Sequence, residues 1–271
     1  MFRRSWLPGG MASRGAGGDV AVVLVHGYFC MSRAIYWQGL LPLRRELLAA
    51  GHPVFRSCVP RTGPVALRAA QLARYLDTLP QRRLILVGHS MGGLDARYAA
   101  SRLDPRARIS HVITIGTPHR GTAVADWALR DRVWLTRLVR FIDRGALRDL
   151  SLEAADRLNA QMPDREDVGY VSLAGSCPTA ELAGTLRRLG ERVALDEGAN
   201  DGMVSLRSAL CGPTAVSVNA NHLELIGHWP INGNAGGMRQ ARRPQPVTAL
   251  RAILGRILAG TGTGAGPLRA S

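Results

Sequence analysis

The 271-residue chain contains no lysine. All 35 of its basic residues are arginines, and with 20 acidic residues they give a formal net charge of +15 at pH 7. A charge of this size attracts nucleic acids or anionic membranes. The arginines are scattered along the whole chain, however, and no nucleic-acid recognition motif accompanies them. We therefore attribute them to a compositional bias and expect no nucleic-acid partner.

Cysteine is also scarce, with four residues at wide spacing, Cys30, Cys58, Cys177 and Cys211. None of them belongs to a CxxC pair, which argues against a structural zinc site. Cys177 and Cys211 could form one disulfide, but two free thiols are the favoured interpretation because cysteine is often simply buried.

Long apolar runs are missing as well. No segment approaches the roughly 18 apolar residues that a membrane span requires, so no transmembrane segment is predicted. Residues 1–18 have arginines and glycines but no apolar centre typical of a secretory signal, which leaves the cytoplasm or a non-classical export route as the expectation. The composition predicts a flexible tail at 1–18, one domain at 19–259 and a second flexible tail at 260–271.

Short apolar runs recur along the chain in place of long ones. They have the character of strands buried in a sheet and occupy residues 20–27, 53–55, 83–88, 111–116, 169–175 and 214–219. Helical patterns lie between or after them, at 35–50, 64–79, 91–103 and 247–259. This alternation predicts an α/β fold with a mostly parallel central sheet and helices on both faces. At about 122–167 the alternation stops, and a mostly helical stretch predicts a cap inserted into the domain.

One serine stands between two glycines at the boundary of a predicted strand and a predicted helix. The segment Gly88-His89-Ser90-Met91-Gly92 matches G-x-S-x-G in the context that gives this motif its meaning. Small flanking residues permit a strained turn, which exposes the hydroxyl over the carboxyl end of the sheet. The helix that begins at Met91 offers a backbone N–H to a developing oxyanion. The alternative is a serine that only caps the helix.

A nucleophilic serine of this architecture is followed along the chain by an acid and then by a histidine. Only His222 and His228 follow the last predicted strand, and His222 lies just beyond its end. For the acid, Asp201 occupies a turn-rich Asn-Asp-Gly segment, with Asp196 and Glu197 as rivals and an ordinary Asx turn as the alternative.

A second oxyanion donor is expected from the loop after the first strand. His26-Gly27-Tyr28 occupies that loop, and the backbone N–H of Tyr28 is the natural candidate. The predicted site therefore combines a nucleophile, an acid, a base and two backbone donors in the order that acyl transfer requires.

Five segments make the chain resemble the bacterial triacylglycerol lipases of the α/β-hydrolase fold: VLVHGYF, LVGHSMGGLDARY, VITIGTPHRGTAVADW, NDGMVS and NHLEL. The resemblance covers roughly residues 20–229, and TIGTPHRG is its most diagnostic part. It implies Ser90 as nucleophile, Asp201 and His222 as its partners, and Tyr28 and Met91 as oxyanion donors. His119 and Arg120 are interpreted as scaffold.

The implied function is hydrolysis of carboxylic esters, and above all of acylglycerols, through an acyl-enzyme intermediate. A short-chain carboxylesterase, a thioesterase or a polyester depolymerase would use the same residues. A non-catalytic lipid-binding relative is the alternative from another class of protein.

The sequence departs from the family at two features. Members often bind a structural calcium through an Asp two residues after the catalytic His and a Gln four beyond it; here those places hold Glu224 and His228, and Glu181 is the candidate for a distant carboxylate. Glutamate displaces the ligand oxygen and histidine is a poor ligand for a hard cation, so we expect no required cofactor. The family's disulfide is not reproduced either, because Arg207 occupies its usual second position.

The cap carries four apolar residues at roughly helical spacing, Trp127, Trp134, Leu138 and Phe141. Arginines lie between them. This pattern predicts a cap that lines an acyl pocket. Two interpretations of its behaviour stay open: a lid that opens in transient contact with a lipid interface, or a helix packed permanently on the core.

Overall fold

A parallel sheet lies at the centre of the computed structural model, which describes residues 18–28, 37–130, 143–228 and 246–261. Its strand order within these residues is β2-β1-β3-β4-β5-β6, and every neighbouring pair is parallel. The strands are β1 (Val20–Val25), β2 (Val54–Arg56), β3 (Arg83–His89), β4 (Ile109–Ile115), β5 (Gly169–Gly175) and β6 (Thr214–Val218). The predicted α/β fold with a parallel sheet is confirmed.

Helices connect the strands and cover the sheet. They are α1 (Leu41–Ala49), α2 (Val65–Asp77), α3 (Met91–Arg102), α4 (Ala123–Arg130), α5 (Arg144–Asp149), α6 (Ala155–Gln161), α7 (Gly184–Glu197), α8 (Leu206–Ala209) and α9 (Pro246–Thr261). Within the described ranges, none of them is both long and apolar enough to cross a membrane.

The alternation of side chains along β1 explains why the sheet needs helices on both faces. Val20, Val22 and Leu24 join a core cluster that includes residues of α1 and α9, whereas Ala21 and Val23 join the cluster formed with α2 and α3. Successive side chains of a strand point to opposite faces, so an uninterrupted apolar run is stable only where both faces are covered.

The first connecting helix differs from its predicted span. It begins at Leu41, after a short 3-10 turn at Gln38–Leu40, and not at residue 35. The reason is Pro42, which lacks a backbone N–H and is tolerated only in the first turn of a helix. Residues 35 and 36 of the predicted helix lie outside the described residues.

The insertion between β4 and β5 contains α4, α5 and α6, three short helices in the predicted cap region. Its buried apolar residues share one cluster with the start of α3 and of α2: Val65, Met91, Leu94, Ala125, Ala146, Leu150, Leu158 and Met162. The described parts of the cap are therefore packed on the helix that follows Ser90. Residues 131–142, with the predicted cap residues Trp134, Leu138 and Phe141, lie outside the described residues.

The described cysteines are free thiols. Cys177 is buried and Cys211 is half-buried, and neither forms a disulfide; Cys58 is exposed. The predicted free state of Cys177 and Cys211 is therefore the one the structure contains.

Candidate active site

Ser90 occupies a strained turn between β3 and α3. Its backbone angles are φ 54° and ψ −132°, in a region that residues other than glycine seldom adopt. Neighbouring groups hold it there: the Ser90 N–H donates to the Ile115 carbonyl at 2.8 Å, and the Ser90 carbonyl accepts from the Gly93 N–H at 3.0 Å and from Thr117 Oγ1 at 2.9 Å. Strain that is maintained by surrounding contacts is typical of a functional position.

The glycines of the motif are required by close backbone contacts. A Cβ on Gly88 would lie 2.4 Å from the Gly92 carbonyl oxygen, and one on Gly92 would lie 2.4 Å from the Val25 carbonyl oxygen. Any larger side chain would push α3 away from β1 and β3. The G-x-S-x-G spacing thus follows from how tightly the helix packs on the two central strands.

Asp201 and His222 are hydrogen-bonded beside the carboxyl end of the sheet. The His222 Nδ1 lies 2.7 Å from Asp201 Oδ2, and the His222 backbone N–H donates to the Asp201 carbonyl at 2.8 Å. The second carboxylate oxygen, Oδ1, accepts from the backbone N–H groups of Met203 and Val204 at 2.9 and 2.8 Å. Asp201 is fully buried. Both of its oxygens are thus occupied, and the carboxylate has one orientation.

His89, the residue before Ser90, supports His222 from the other side. Its Nε2 lies 2.9 Å from the His222 carbonyl oxygen, so this nitrogen carries the proton, and the two imidazole rings are 4.5 Å apart. Burial, followed by the charge of His222, holds the pKa of His89 well below its usual value. The chain order excluded His89 as a base, and its supporting contact had no sequence signal beyond its position next to the serine.

Ser90 Oγ makes no hydrogen bond to His222 in the part of the chain that is described. Hydrogen bonds of this kind are often long without substrate and shorten in the reacting complex. The link between the two residues is therefore indirect here, through His89.

The two predicted oxyanion donors flank Ser90. A Cβ placed on Gly27 would lie 2.8 Å from Ser90 Cβ and 3.3 Å from Ser90 Oγ, so the loop that bears Tyr28 passes directly over the serine. Met91 is the first residue of α3, and the first N–H groups of a helix have no partner within it. The ring of Tyr28 packs on the cap cluster, and burial followed by the Asp143 carboxylate raises the pKa of its hydroxyl.

The alternative candidates for the acid and the base make contacts elsewhere. Asp196 pairs with Arg192 at the surface at 3.2 Å. Glu197 accepts from the Ala123 N–H at 2.7 Å, at the start of the cap. Its other oxygen accepts from the Ser205 hydroxyl. Glu197 thus joins the cap to the loop that bears the acid, a role that sequence reasoning missed. His228 is half-buried, and its backbone N–H donates to the Leu223 carbonyl.

The calcium candidates Glu224 and Glu181 lie in two separate turns. Glu224 Oε2 accepts from the Asn221 N–H at 2.9 Å, while Asn221 Oδ1 accepts from the N–H groups of Leu223 and Glu224. This reciprocal capping shapes the turn that bears His222. Among residues 18–28, 37–130, 143–228 and 246–261, no three His, Cys, Asp or Glu side chains are grouped to hold a metal ion, and Glu181 lies in a separate turn. Glu224 is thus a capping residue of this turn, and the absence of a required calcium ion stays a prediction.

His119 and Arg97 connect the sheet, α3 and the cap. Arg97 Nη1 lies 3.0 Å from His119 Nδ1, and His119 Nε2 lies 3.0 Å from Thr114 Oγ1. The Asn159 amide of α6 donates to the His119 carbonyl at 2.7 Å, and Arg97 donates back to the same amide. Burial, with the adjacent Arg97, holds the pKa of His119 well below its usual value. His119 is thus a buried connecting residue, as the interpretation of it as scaffold requires.

Trp127 is the one predicted cap residue within the described part of the chain. It is 39% exposed and lines a groove of about 340 Å³ with residues of α4, α7 and the loop after α5. Ser90, Asp201 and His222 are not among the residues that line this groove. The structure therefore places Trp127 at a surface groove apart from the candidate site.

Comparison with known proteins finds α/β hydrolases. The model of the alpha/beta hydrolase family matches residues 22–261. Triacylglycerol lipase 2 of Saccharomyces cerevisiae is 35% identical over 103 residues, covering 35% of this chain and 31% of that protein. A triacylglycerol lipase of Pseudarthrobacter phenanthrenivorans is 34% identical over 118 residues, covering 39% and 35% respectively. The chain thus spans about a third of the length of these two relatives.

Among solved structures, the mature form of the Bacillus licheniformis lipase BlEst2 superposes with a TM-score of 0.63 at 25% identity, covering 76% of this chain and 86% of that one.

Proposed function

Because the chain belongs to the alpha/beta hydrolase family, we propose that it hydrolyses carboxylic esters, above all acylglycerols, by acyl transfer through Ser90. The observation that carries this proposal is the 2.7 Å hydrogen bond between Asp201 and His222, placed beside a serine that is held in a strained turn. The identity with two triacylglycerol lipases supports the choice of acylglycerols among esters.

The first half of the reaction is acylation of the serine. Asp201 Oδ2 accepts the hydrogen bond of His222 Nδ1–H, so the lone pair of the imidazole lies on Nε2. As Ser90 Oγ attacks the ester carbonyl, Nε2 takes the hydroxyl proton and the C=O electrons move onto oxygen. The N–H groups of Tyr28 and Met91 stabilise this oxyanion. The carbonyl then reforms, and the alcohol leaves with the proton from His222.

The second half releases the acid. Water replaces the alcohol and gives one proton to His222 Nε2 while its oxygen attacks the acyl carbon. The second tetrahedral intermediate collapses with protonation of Ser90 Oγ, which leaves a carboxylic acid and the free enzyme. The buried Asp201 stabilises the imidazolium in both halves.

The proposal predicts covalent labelling of Ser90 by a fluorophosphonate probe. The phosphonyl group forms a bond to Ser90 Oγ and fluoride leaves, which requires the same base and oxyanion donors as acylation. Peptide mass spectrometry identifies the labelled residue, and p-nitrophenyl ester hydrolysis must be lost in parallel. A folded protein that takes up no probe, or takes it up at another serine while turnover persists, contradicts the proposal.

We further propose that hydrolysis needs no metal ion, because Glu224 Oε2 already accepts from the Asn221 N–H and Glu181 lies in a separate turn. Addition of EDTA to the labelling and hydrolysis assays is therefore expected to leave both rates and the melting temperature unchanged. A lower rate that calcium restores would contradict this part of the proposal while leaving the role of Ser90 intact.

We propose in addition that the protein makes transient contact with a lipid interface. Trp127 is 39% exposed on α4, and its groove contains both arginines and carboxylates, so the aromatic ring and not a net positive charge is the proposed point of contact. Hydrolysis of a long-chain triacylglycerol is expected to rise steeply once the substrate forms an emulsion, and Trp127→Ala is expected to reduce that rise without changing turnover of a dissolved short-chain ester. A smooth dependence on concentration through the solubility limit, equal in both variants, would exclude the contact.

A further inference from the structure

Arg68, on α2, is completely buried. Its side chain and that of Asp95, on α3, both have no exposed surface. Arg68 Nε and Nη2 donate to the same oxygen, Asp95 Oδ2, at 2.9 and 2.7 Å. Burying a guanidinium is unfavourable unless its donors are satisfied, and apolar residues of the same size often serve stability as well as a buried ion pair does. The position therefore calls for an explanation other than packing.

The remaining donors of Arg68 reach backbone carbonyls at the edge of the candidate site. Nη2 donates to the carbonyl of His26, the first residue after β1, at 2.8 Å, and Nη1 donates to the Pro60 carbonyl. The ring of His26 lies between two further carbonyls, with Nδ1 at 2.9 Å from Gly27 O and Nε2 at 3.1 Å from Val59 O. Arg68 thus fixes the loop that begins at His26.

The direction of this loop determines where its N–H groups point. In a trans peptide the C=O and the next N–H are antiparallel. The carbonyls of His26 and Gly27 are turned toward Arg68 and the His26 ring, so the N–H groups of Gly27 and Tyr28 point the opposite way. The same loop touches Ser90, because a Cβ on Gly27 would lie 2.8 Å from Ser90 Cβ.

Asp95 connects the same guanidinium to the second oxyanion donor. It lies in the second turn of α3, the helix that begins at Met91 and follows Ser90. The contact between helix and loop is close, since a Cβ on Gly92 would lie 2.7 Å from the His26 carbonyl oxygen. One ion pair therefore spans the two backbone segments that carry the proposed donors, Tyr28 on the loop and Met91 on the helix.

We propose that Arg68 and Asp95 are a positioning pair that sets the distance and angle between the two oxyanion N–H groups. The proposal rests on Ser90 hydrolysis as proposed above, because only a tetrahedral oxyanion would need both donors at once. Oxyanion donors must be placed to within about 0.5 Å, which a buried contact with two N–H donors on one carboxylate oxygen provides and a surface contact does not. Asp95 Oδ1 has no hydrogen-bond partner among the described residues, so the whole contact with Arg68 runs through Oδ2.

The test replaces both charges together, with Arg68→Met/Asp95→Leu, so that no unpaired charge is left in the core. We expect kcat on a dissolved p-nitrophenyl ester to fall about 30-fold to 300-fold with little change in KM, because removing a single oxyanion donor costs about 10²–10³ in kcat. The affinity for a trifluoromethyl ketone, which forms a tetrahedral adduct at the serine, is expected to fall by the same factor as kcat/KM. Arg68→Lys keeps the charge but is unable to donate to Asp95, His26 and Pro60 at once as the guanidinium does, and an intermediate kcat is expected.

Arg108→Met is the matched control. Arg108 also donates to backbone carbonyls, those of Leu76, Leu79 and Gln81, but at the opposite end of α2. Its loss is expected to lower the melting temperature and to leave kcat per active site unchanged, with sites counted by fluorophosphonate titration. If the double variant keeps kcat per labelled site within about threefold of the parent, the positioning role is wrong. If the parent protein itself takes up no probe at Ser90, the proposed function fails and the pair is not the cause.

Discussion

Replacing Ser90 with alanine is expected to lower p-nitrophenyl ester hydrolysis by about 10⁴-fold or more, because removal of a serine nucleophile leaves only binding and the oxyanion donors. Far-ultraviolet circular dichroism should match that of the parent, since the Ser90 side chain makes no hydrogen bond within the described residues. Comparable turnover by a purified Ser90→Ala protein would contradict the proposed function at its centre.

The same position provides a second, independent measurement. Ser90→Gly is expected to be as inactive as Ser90→Ala but more stable than it by about 1 kcal/mol, because glycine adopts φ 54° without the steric cost that a Cβ carries. Thermal unfolding of the two variants measures this difference. Equal stability of the two variants would mean that the turn relaxes once the hydroxyl is absent. The positive φ would then depend on the serine side chain and not on the surrounding backbone contacts.

The sheet and the order of the site residues could be predicted from sequence because both depend on short segments. Each buried strand is an apolar run, and the run at 83–88 leads directly into the glycines around Ser90. The ends of helices were harder to predict where a single residue determines them. Pro42 moves the start of α1 by six residues from its predicted position at 35 to Leu41.

Contacts between distant segments could not be predicted. Arg68 and Asp95 are 27 residues apart, and in the sequence each is an unremarkable charged residue of a helical pattern. Charged residues in such patterns are usually exposed, so nothing local indicates that these two are fully buried. Glu197 is a similar case. From the sequence it is an alternative to Asp201 as the acid, whereas in the structure its carboxylate connects the cap to the loop that bears Asp201.

The hydrogen bonds around Asp201 separate the two roles that a buried acid could have. Oδ1 is held by two backbone N–H groups, so it must remain an acceptor, whereas Oδ2 faces His222 Nδ1. In Asp201→Asn the amide oxygen takes the place of Oδ1, because an NH₂ group there would oppose two donors. The NH₂ group then faces His222 Nδ1, which accepts only if the imidazole proton moves to Nε2. The variant therefore keeps the loop and reverses the tautomer.

With the proton on Nε2, His222 is unable to accept the hydroxyl proton of Ser90, and kcat for Asp201→Asn is expected to fall by about 10⁴-fold, as it does when the acid of a serine protease triad becomes an amide. Unfolding free energy should change far less than in Asp201→Ala, which leaves two buried N–H groups and Nδ1 without their acceptor and is expected to cost about 2 to 5 kcal/mol. Nitrogen-15 NMR of the histidine ring reports the tautomer, and Asp196→Asn is the control at an exposed rival acid, with activity retained. An Asp201→Asn protein that is inactive but keeps the Nδ1–H tautomer would show that the carboxylate acts through its charge on the imidazolium and not through the orientation of the ring.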